Sequence, residues 1–367
     1  MPFYIHMKKL WQLDWIMNVA IFLLLALGFL ALYSTSFDGA SFISMNFRKQ
    51  MISCAIGVAL MLGLAFYDYR TIGVFSTKLY FGLVAVLILV IFFGRTVRGT
   101  TGWIGISSFN IQPVEIAKLV MIIFVARFLS KKKTELSSAT RVISSLALVS
   151  IPILLILQQP DFGSAAVIGA VWVAMLLASE INKKNIAAII IIGAVASVSG
   201  WSLLKNYQKE RIVNFIKPEN DPQGSGYNVI QSIVAVGSGK IMGKGLGHGS
   251  QSQLNFLPEK HTDFIFAVIS EELGFLGAGA VFVLFGILFF RMKEIARTSR
   301  DNFGYLVSVG IIIMVAFQML VNIGMNIGVM PVAGVPLPYL SYGGSSLVAI
   351  LAASGILQSI YLRRIKT

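Results

Sequence analysis

The 367 residues include a single cysteine and three histidines. Cys54 alone offers no intramolecular disulfide and no redox or zinc motif. His248 and His261 are too isolated to make a metal site, and no His/Cys spacing supports zinc. Charge is scarce too: Asp, Glu, Lys and Arg make up 13% of the chain, against 56% hydrophobic residues. That balance excludes an ordinary soluble domain. There is no solenoid period and no internal duplication of the kind transporters carry.

In their place are long apolar runs and a mean hydropathy of +0.79. Runs able to cross a bilayer fall at Trp15–Tyr33, Met51–Tyr67, Leu79–Phe93, Glu115–Leu129, Val142–Leu157, Ala165–Leu177, Ile186–Leu204, Phe264–Phe290, Phe303–Val329 and Ser345–Leu362. The expected fold is therefore all-α, a polytopic membrane protein of about ten transmembrane helices forming one domain over residues 1–367. The first run exceeds a signal-peptide core and lacks a small-x-small cleavage site, so it is expected to remain as a helix.

Orientation follows from Lys and Arg. With the amino terminus inside, eighteen basic residues fall in inner loops and tails, and eleven in outer loops. Both termini are expected to be cytoplasmic. The formal charge of +14 then reads as a topology signal and a contact with anionic membrane lipids, not as a nucleic-acid surface.

One long polar segment interrupts the apolar pattern. Lys205–Thr262 is expected to be a large extracytoplasmic loop, rich in Gly, Ser, Gln and Lys. Tyr227–Val236 reads as a short helix lying against the bundle. Ile230, Ile233, Val234, Leu254 and Phe256 are expected to be buried there. The loop ends in His261-Thr262-Asp263-Phe264, which brings a carboxylate to the water–apolar boundary, where charge is costly. Asp263 can serve as a general base at an outward-facing site. On the local pattern alone a helix N-cap is the simpler reading.

Other polar groups sit at the same level. Glu115 and Lys118 follow Pro113, a natural first-turn residue, and share a helix face. They read either as a structural ion pair or as part of a diphosphate site. Asp161, in Gln159-Pro160-Asp161-Phe162-Gly163, reads locally as turn chemistry. Three polar groups at the outer ends of helices suggest a shared cavity. Gln318, Asn322 and Asn326 form a polar stripe at i, i+4, i+8, of the kind that glues helices together. Gly343-Gly344-Ser345-Ser346 opens the last helix as a candidate anion cradle. Arg48, Lys49 and Arg211 can attract an anionic head group. Glu271 and Glu272 lie deeper, with no role that the sequence assigns.

Together these stretches resemble the SEDS family (shape, elongation, division and sporulation), the bacterial peptidoglycan polymerases that include RodA and FtsW. The matching motifs are Gln112-Pro113-Val114-Glu115-Ile116-Ala117-Lys118, Gln159-Pro160-Asp161-Phe162-Gly163, Gly226-Tyr227-Asn228, Gly243-Lys244-Gly245, His261-Thr262-Asp263-Phe264-Ile265-Phe266, Glu271-Glu272-Leu273-Gly274 and Pro336-Leu337-Pro338-Tyr339 through Ser345. The segment Gln251–Lys260 is more similar to the RodA branch than to FtsW. Gly102 stands where the family usually has a basic residue, and Val114 replaces a usual Ser.

The resemblance implies a glycosyltransferase that joins lipid II into β-1,4 glycan strands outside the cytoplasmic membrane, in cell elongation. Asp263 would be the essential carboxylate. Arg48, Glu115, Lys118, Asp161, Arg211, Lys244 and Ser345 would contact substrate. Glu115 or Asp161 could hold a divalent cation, Mg or Mn. The implied partners are lipid II, the nascent strand and a class B penicillin-binding protein. A lipid II flippase and a non-catalytic scaffold of the cell-wall machinery are the alternatives from other classes.

Overall fold

The computed structural model describes residues 10–35, 44–97, 100–106, 109–131, 137–179, 225–254 and 259–365, with positions 181, 182, 184, 187, 209, 213, 215, 256 and 257 between them. Seven described helices are long and apolar enough to cross a membrane. They are α1 (Trp15–Thr35), α2 (Met45–Phe66), α4 (Ser76–Phe93), α6 (Ser138–Gln158), α10 (Ile265–Arg297), α11 (Asn302–Asn326) and α12 (Gly344–Leu362). Two further apolar runs form α5 (Pro113–Ser130), which carries Glu115, Lys118 and Arg127, and the shorter α7 (Phe162–Ala178). The remaining run, Ile186–Leu204, lies outside the described residues except at position 187. Three short helices complete the set: α3 (Tyr69–Val74), α8 (Ser225–Ser238) and α9 (Ser250–Gln253).

Side-chain caps start several helices where the sequence offers a short polar residue. Ser44, Asp68, Ser137, Asp161 and Asp301 each accept a main-chain N–H from two or three residues ahead. Packing then relies on small residues, as it must where lipid supplies no hydrophobic drive between helices. The deeply buried α12 lies along α2. A Cβ at Gly355 would sit 2.5 Å from the Met61 carbonyl oxygen, so the two backbones touch only because Gly355 has none.

A small antiparallel sheet, β1 (Arg95–Val97), β2 (Thr100–Ile106) and β3 (Phe109–Ile111), joins α4 to α5. The sequence reading contained no strand. Its register pairs Arg95 with Trp103 and Gly105 with Asn110.

The expected helix over Tyr227–Val236 forms as α8 and packs on α10 and α11. Its facing is the reverse of the expectation. Val229, Ser232 and Ala235 are buried, whereas Ile230, Ile233 and Val234 are exposed; beyond the helix, Leu254 and Phe256, also expected to be buried, are exposed as well. In a bilayer the outer face can be as apolar as the inner one, so apolarity does not say which side packs.

The longest helix is broken. Gly274 takes φ 64° and ψ −158°, interrupting the ladder of α10. The backbone of residues 240–245 fills the gap. Lys244 N–H donates to Glu271 O and Gly245 N–H to Glu272 O, both at 3.0 Å. In return Phe275 N–H donates to Lys240 O at 2.8 Å and Leu276 N–H to Ile241 O at 3.2 Å. Side chains reinforce the splice. Glu271 accepts from Lys244 Nζ at 2.8 Å and from the N–H groups of Gln251 and Ser252. Glu272 accepts from Ser34 Oγ at 2.6 Å and from Gly247 N–H. Both carboxylates are almost wholly buried. Their role is to tie the loop that follows α8 to α10 and α1.

About 25 Å along α10 from the break, Arg291 donates to Asp14 Oδ2 from Nε at 2.9 Å and from Nη2 at 2.7 Å. Tyr69 and Arg70 both donate to Asp301 at 2.9 Å, joining α3 to the start of α11. Burial pushes the Tyr69 phenol up to about 12, so it stays protonated as a donor.

Gly243 (φ 78°) faces the break, and a Cβ there would meet Glu272 O at 2.1 Å. Gly243→Ala is expected to cost at least about 1–2 kcal/mol, the penalty of the left-handed region alone. Gly237→Ala, on the open side of α8 with nothing within 4 Å, should be neutral or slightly stabilising. Thermal unfolding in detergent would measure both, and equal midpoints for the two variants would refute the splice.

Candidate active site

Four helices begin at one cleft. Gln112 and Glu115 come from the start of α5, Asp161 and Phe162 from α7, Thr262 and Asp263 from just before α10, and Gly343 to Ser346 from α12. Val97, Thr100 and Trp103 of the sheet form one wall, and Ala333, Gly334 and Pro336 of the loop before α12 another. The cleft encloses about 180 Å³. Each helix directs the positive end of its dipole toward it, which favours negative charge there.

Asp263, Glu115 and Asp161 therefore line a common cavity, together with Ser345. Asp263 is half-buried. The cap position of α10 falls on Phe264, whose side chain makes no capping bond. The Thr262 hydroxyl turns back to Glu259. Asp161 combines both readings of its motif. One carboxylate oxygen caps α7 through Ser164 N–H at 2.9 Å, and the other accepts from Gln112 Nε2 at 3.2 Å. The main-chain N–H of Gln112 donates to Ser345 Oγ at 3.0 Å, so Gln112 links three walls.

Glu115 and Lys118 form an ion pair at 2.7 Å, with side chains 6% and 2% exposed. Glu115 reaches the cleft, and Lys118 lies behind it, off the lining. Arg48 is exposed on the first turn of α2 and is not part of the lining. Lys244 is committed to Glu271 at the break in α10 and is likewise not part of it. Arg211 lies outside the described residues.

Gln112, Trp103, Tyr342 and the Ala333–Pro336 loop carried no role in the sequence reading. Gln112 stands inside a motif, which is a signal of sorts. Pro336 and Tyr342 stand inside another, Trp103 follows the Gly102 that departs from the family pattern, and Ala333 gave none.

Among the described residues no group of three or more His, Cys, Asp or Glu side chains is placed to hold a metal ion. The oxygens of Asp161 are engaged by Ser164 and Gln112, and Glu115 by Lys118. These donors do not make a protein cage for Mg or Mn. Magnesium commonly binds through one or two carboxylates plus substrate phosphates.

A family profile described as "Cell cycle protein", covering FtsW, RodA and SpoVE, matches residues 14–365. The chain belongs to this family. It is 38% identical over 359 residues to stage V sporulation protein E of Bacillus subtilis, covering 95% of this chain and 96% of that protein. It is 36% identical over 361 residues to peptidoglycan glycosyltransferase MrdB of Escherichia coli K12, covering 97% and 96%. Among solved structures, the fold is similar to a chain of a peptidoglycan synthase complex that coordinates polymerization and crosslinking, with a TM-score of 0.81, 28% identity and coverage of 97% and 99%. It is also similar to RodA of Thermus thermophilus, with a TM-score of 0.72, 25% identity and coverage of 97% and 98%.

Removing Lys118 would strand a buried carboxylate. Lys118→Met is expected to destabilise the protein by about 3–5 kcal/mol. The double variant Glu115→Gln/Lys118→Met should recover much of that loss. Equal unfolding temperatures for the single and double variants in detergent would show that the pair carries no charge coupling.

Proposed function

We propose that this family member is a peptidoglycan glycosyltransferase, the activity its curated relatives are named for, and that Asp263 is its catalytic base. The observation that carries the reading is the half-buried Asp263 carboxylate on a cleft where four helix N-termini meet. The substrate is lipid II and the growing glycan strand. The acceptor 4-hydroxyl gives its proton to the Asp263 carboxylate as its oxygen attacks the anomeric carbon of the donor sugar. The bond from that carbon to the diphosphate oxygen breaks, and undecaprenyl diphosphate leaves with the electron pair. One displacement inverts the anomeric centre and makes a β-1,4 link from an α-linked donor. A second catalytic carboxylate, as retaining hydrolases use, is not required.

Negative charge grows on the departing diphosphate, and the start of α12 at Gly344 to Ser346 is suited to receive it through the helix dipole and main-chain N–H groups, the N–H of Gly343 being held by Gln50. Ser345 is a substrate contact in this scheme. Glu115 and Asp161 shape the cleft, and Lys118 acts from behind by fixing Glu115. Arg48 and Arg211 serve the approach of the anionic head group.

The Lys and Arg bias supports a multi-pass protein of the bacterial cytoplasmic membrane with both termini inside and the cleft outside. The likeness of Gln251–Lys260 to the RodA branch supports a role in elongation and rod shape. A class B penicillin-binding protein is the natural partner, since polymerised strands need crosslinking.

Purified Asp263→Asn is expected to stay folded and bind lipid II while losing polymerisation by at least about a hundredfold, as expected for a general base. Glycan synthesis at the wild-type rate would sink the assignment. Liposomes carrying labelled lipid II discriminate the flippase alternative, which requires translocation without polymer. The scaffold alternative requires that Asp263→Asn still support growth.

A further inference from the structure

Asn322 and Asn326 lie one turn apart on α11, and both are fully buried. Their side-chain amides donate to the same atom, the main-chain carbonyl oxygen of Asp263, at 3.1 and 2.9 Å. Two amide donors use both lone pairs of that oxygen. Asn322 Nδ2 also donates to Val335 O at 2.8 Å, in the loop that walls the cleft. Asn326 Oδ1 accepts from Ala267 N–H at 3.1 Å, in the first turn of α10.

The two preceding residues are held in the same way. Ser341 Oγ donates to Thr262 O at 2.6 Å, and Tyr342 N–H to His261 O at 2.8 Å. Three consecutive carbonyls at the entry to α10 are thus taken by donors from α11 and from the loop before α12. Glue between helices would join side chain to side chain or brace a regular turn. Here both amides converge on the main chain of Asp263, one of the three residues whose carboxylates line the cleft.

We propose that Asn322 and Asn326 are positioning residues, which orient the Asp263 carboxylate by clamping its main-chain carbonyl; this rests on the reading of Asp263 as the base. Misplacing a catalytic group by about 1 Å can cost about a hundredfold in rate. The clamp acts on orientation and touches no substrate, so its loss should fall on turnover and not on binding.

The test uses the purified full-length chain and lipid II. Asn322→Ala and Asn326→Ala should each lower turnover about 10- to 100-fold, with KM changed less than about twofold; each also leaves buried main-chain groups unpaired and lowers the unfolding temperature, so turnover is measured well below it. Asn326→Leu keeps a similar volume but removes the donor to Asp263, and it should lose turnover as fully as Asn326→Ala. If the Leu variant does not fold, the two Ala variants carry the test. Combined with Asp263→Asn, the Ala changes should add nothing, because both remove the same function. Three results overturn the proposal: full turnover in both Ala variants, full turnover in Asn326→Leu, or KM rising in step with the loss of turnover. An active Asp263→Asn protein would remove the base reading itself, and the positioning role with it. An inactive Asp263→Asn protein beside active Asn variants would remove the positioning role alone.

Discussion

Inside a membrane, a main-chain N–H or C=O without a partner costs several kcal/mol, because no water is there to take its place. The interruption of α10 at Gly274 exposes such groups. The architecture around it follows from how they are satisfied. The backbone of residues 240–245 takes the place of the missing helical turn, giving two N–H donors and two carbonyl acceptors. Glu271 and Glu272, on the last turn before the break, hold the rest of that loop through Lys244, Gly247, Gln251 and Ser252, and Glu272 also holds Ser34 of α1. The polar segment after α8 is thereby part of α10, and it fixes the short first portion of that helix which Asp263 precedes.

The cleft is a second answer to the same dielectric problem. Carboxylates are costly near a hydrocarbon interior, yet three of them line one small space. Each has local compensation. Glu115 has Lys118 within 2.7 Å, Asp161 has an N–H and an amide, and four helix starts direct their dipoles inward. A polar chamber can persist there because its charges are paid for individually, before any ligand arrives. An anionic leaving group would meet dipoles already oriented, with little reorganisation left to occur.

The helices were legible because apolar runs of membrane length are long signals, and nine of the ten coincide with described helices. The convergence of Asp263, Glu115 and Asp161 was legible for a related reason: a polar residue at the end of such a run has few places to go. Finer features were hidden where the outcome depends on a distant partner. Whether Lys244 meets substrate or Glu271 turns on a contact 27 residues away. The sheet at Arg95–Ile111 is too short for its alternation to stand out among loops. The facing of α8 was misread because an apolar side chain satisfies lipid and core alike. The stripe at Asn322 and Asn326 was visible as a pattern, but its target was a carbonyl, and main-chain atoms leave no mark in a sequence.

The cleft draws its walls from the sheet at Val97, from the starts of α5 and α7, from Asp263 and from the start of α12. Some 250 residues separate the first wall from the last, and no contiguous stretch holds more than a fragment of it. Such a site is not modular. It cannot be transplanted as a cassette, split into working halves or built up by adding one segment at a time. Descent with this site intact means descent of nearly the whole chain, which fits relatives that align with it almost end to end.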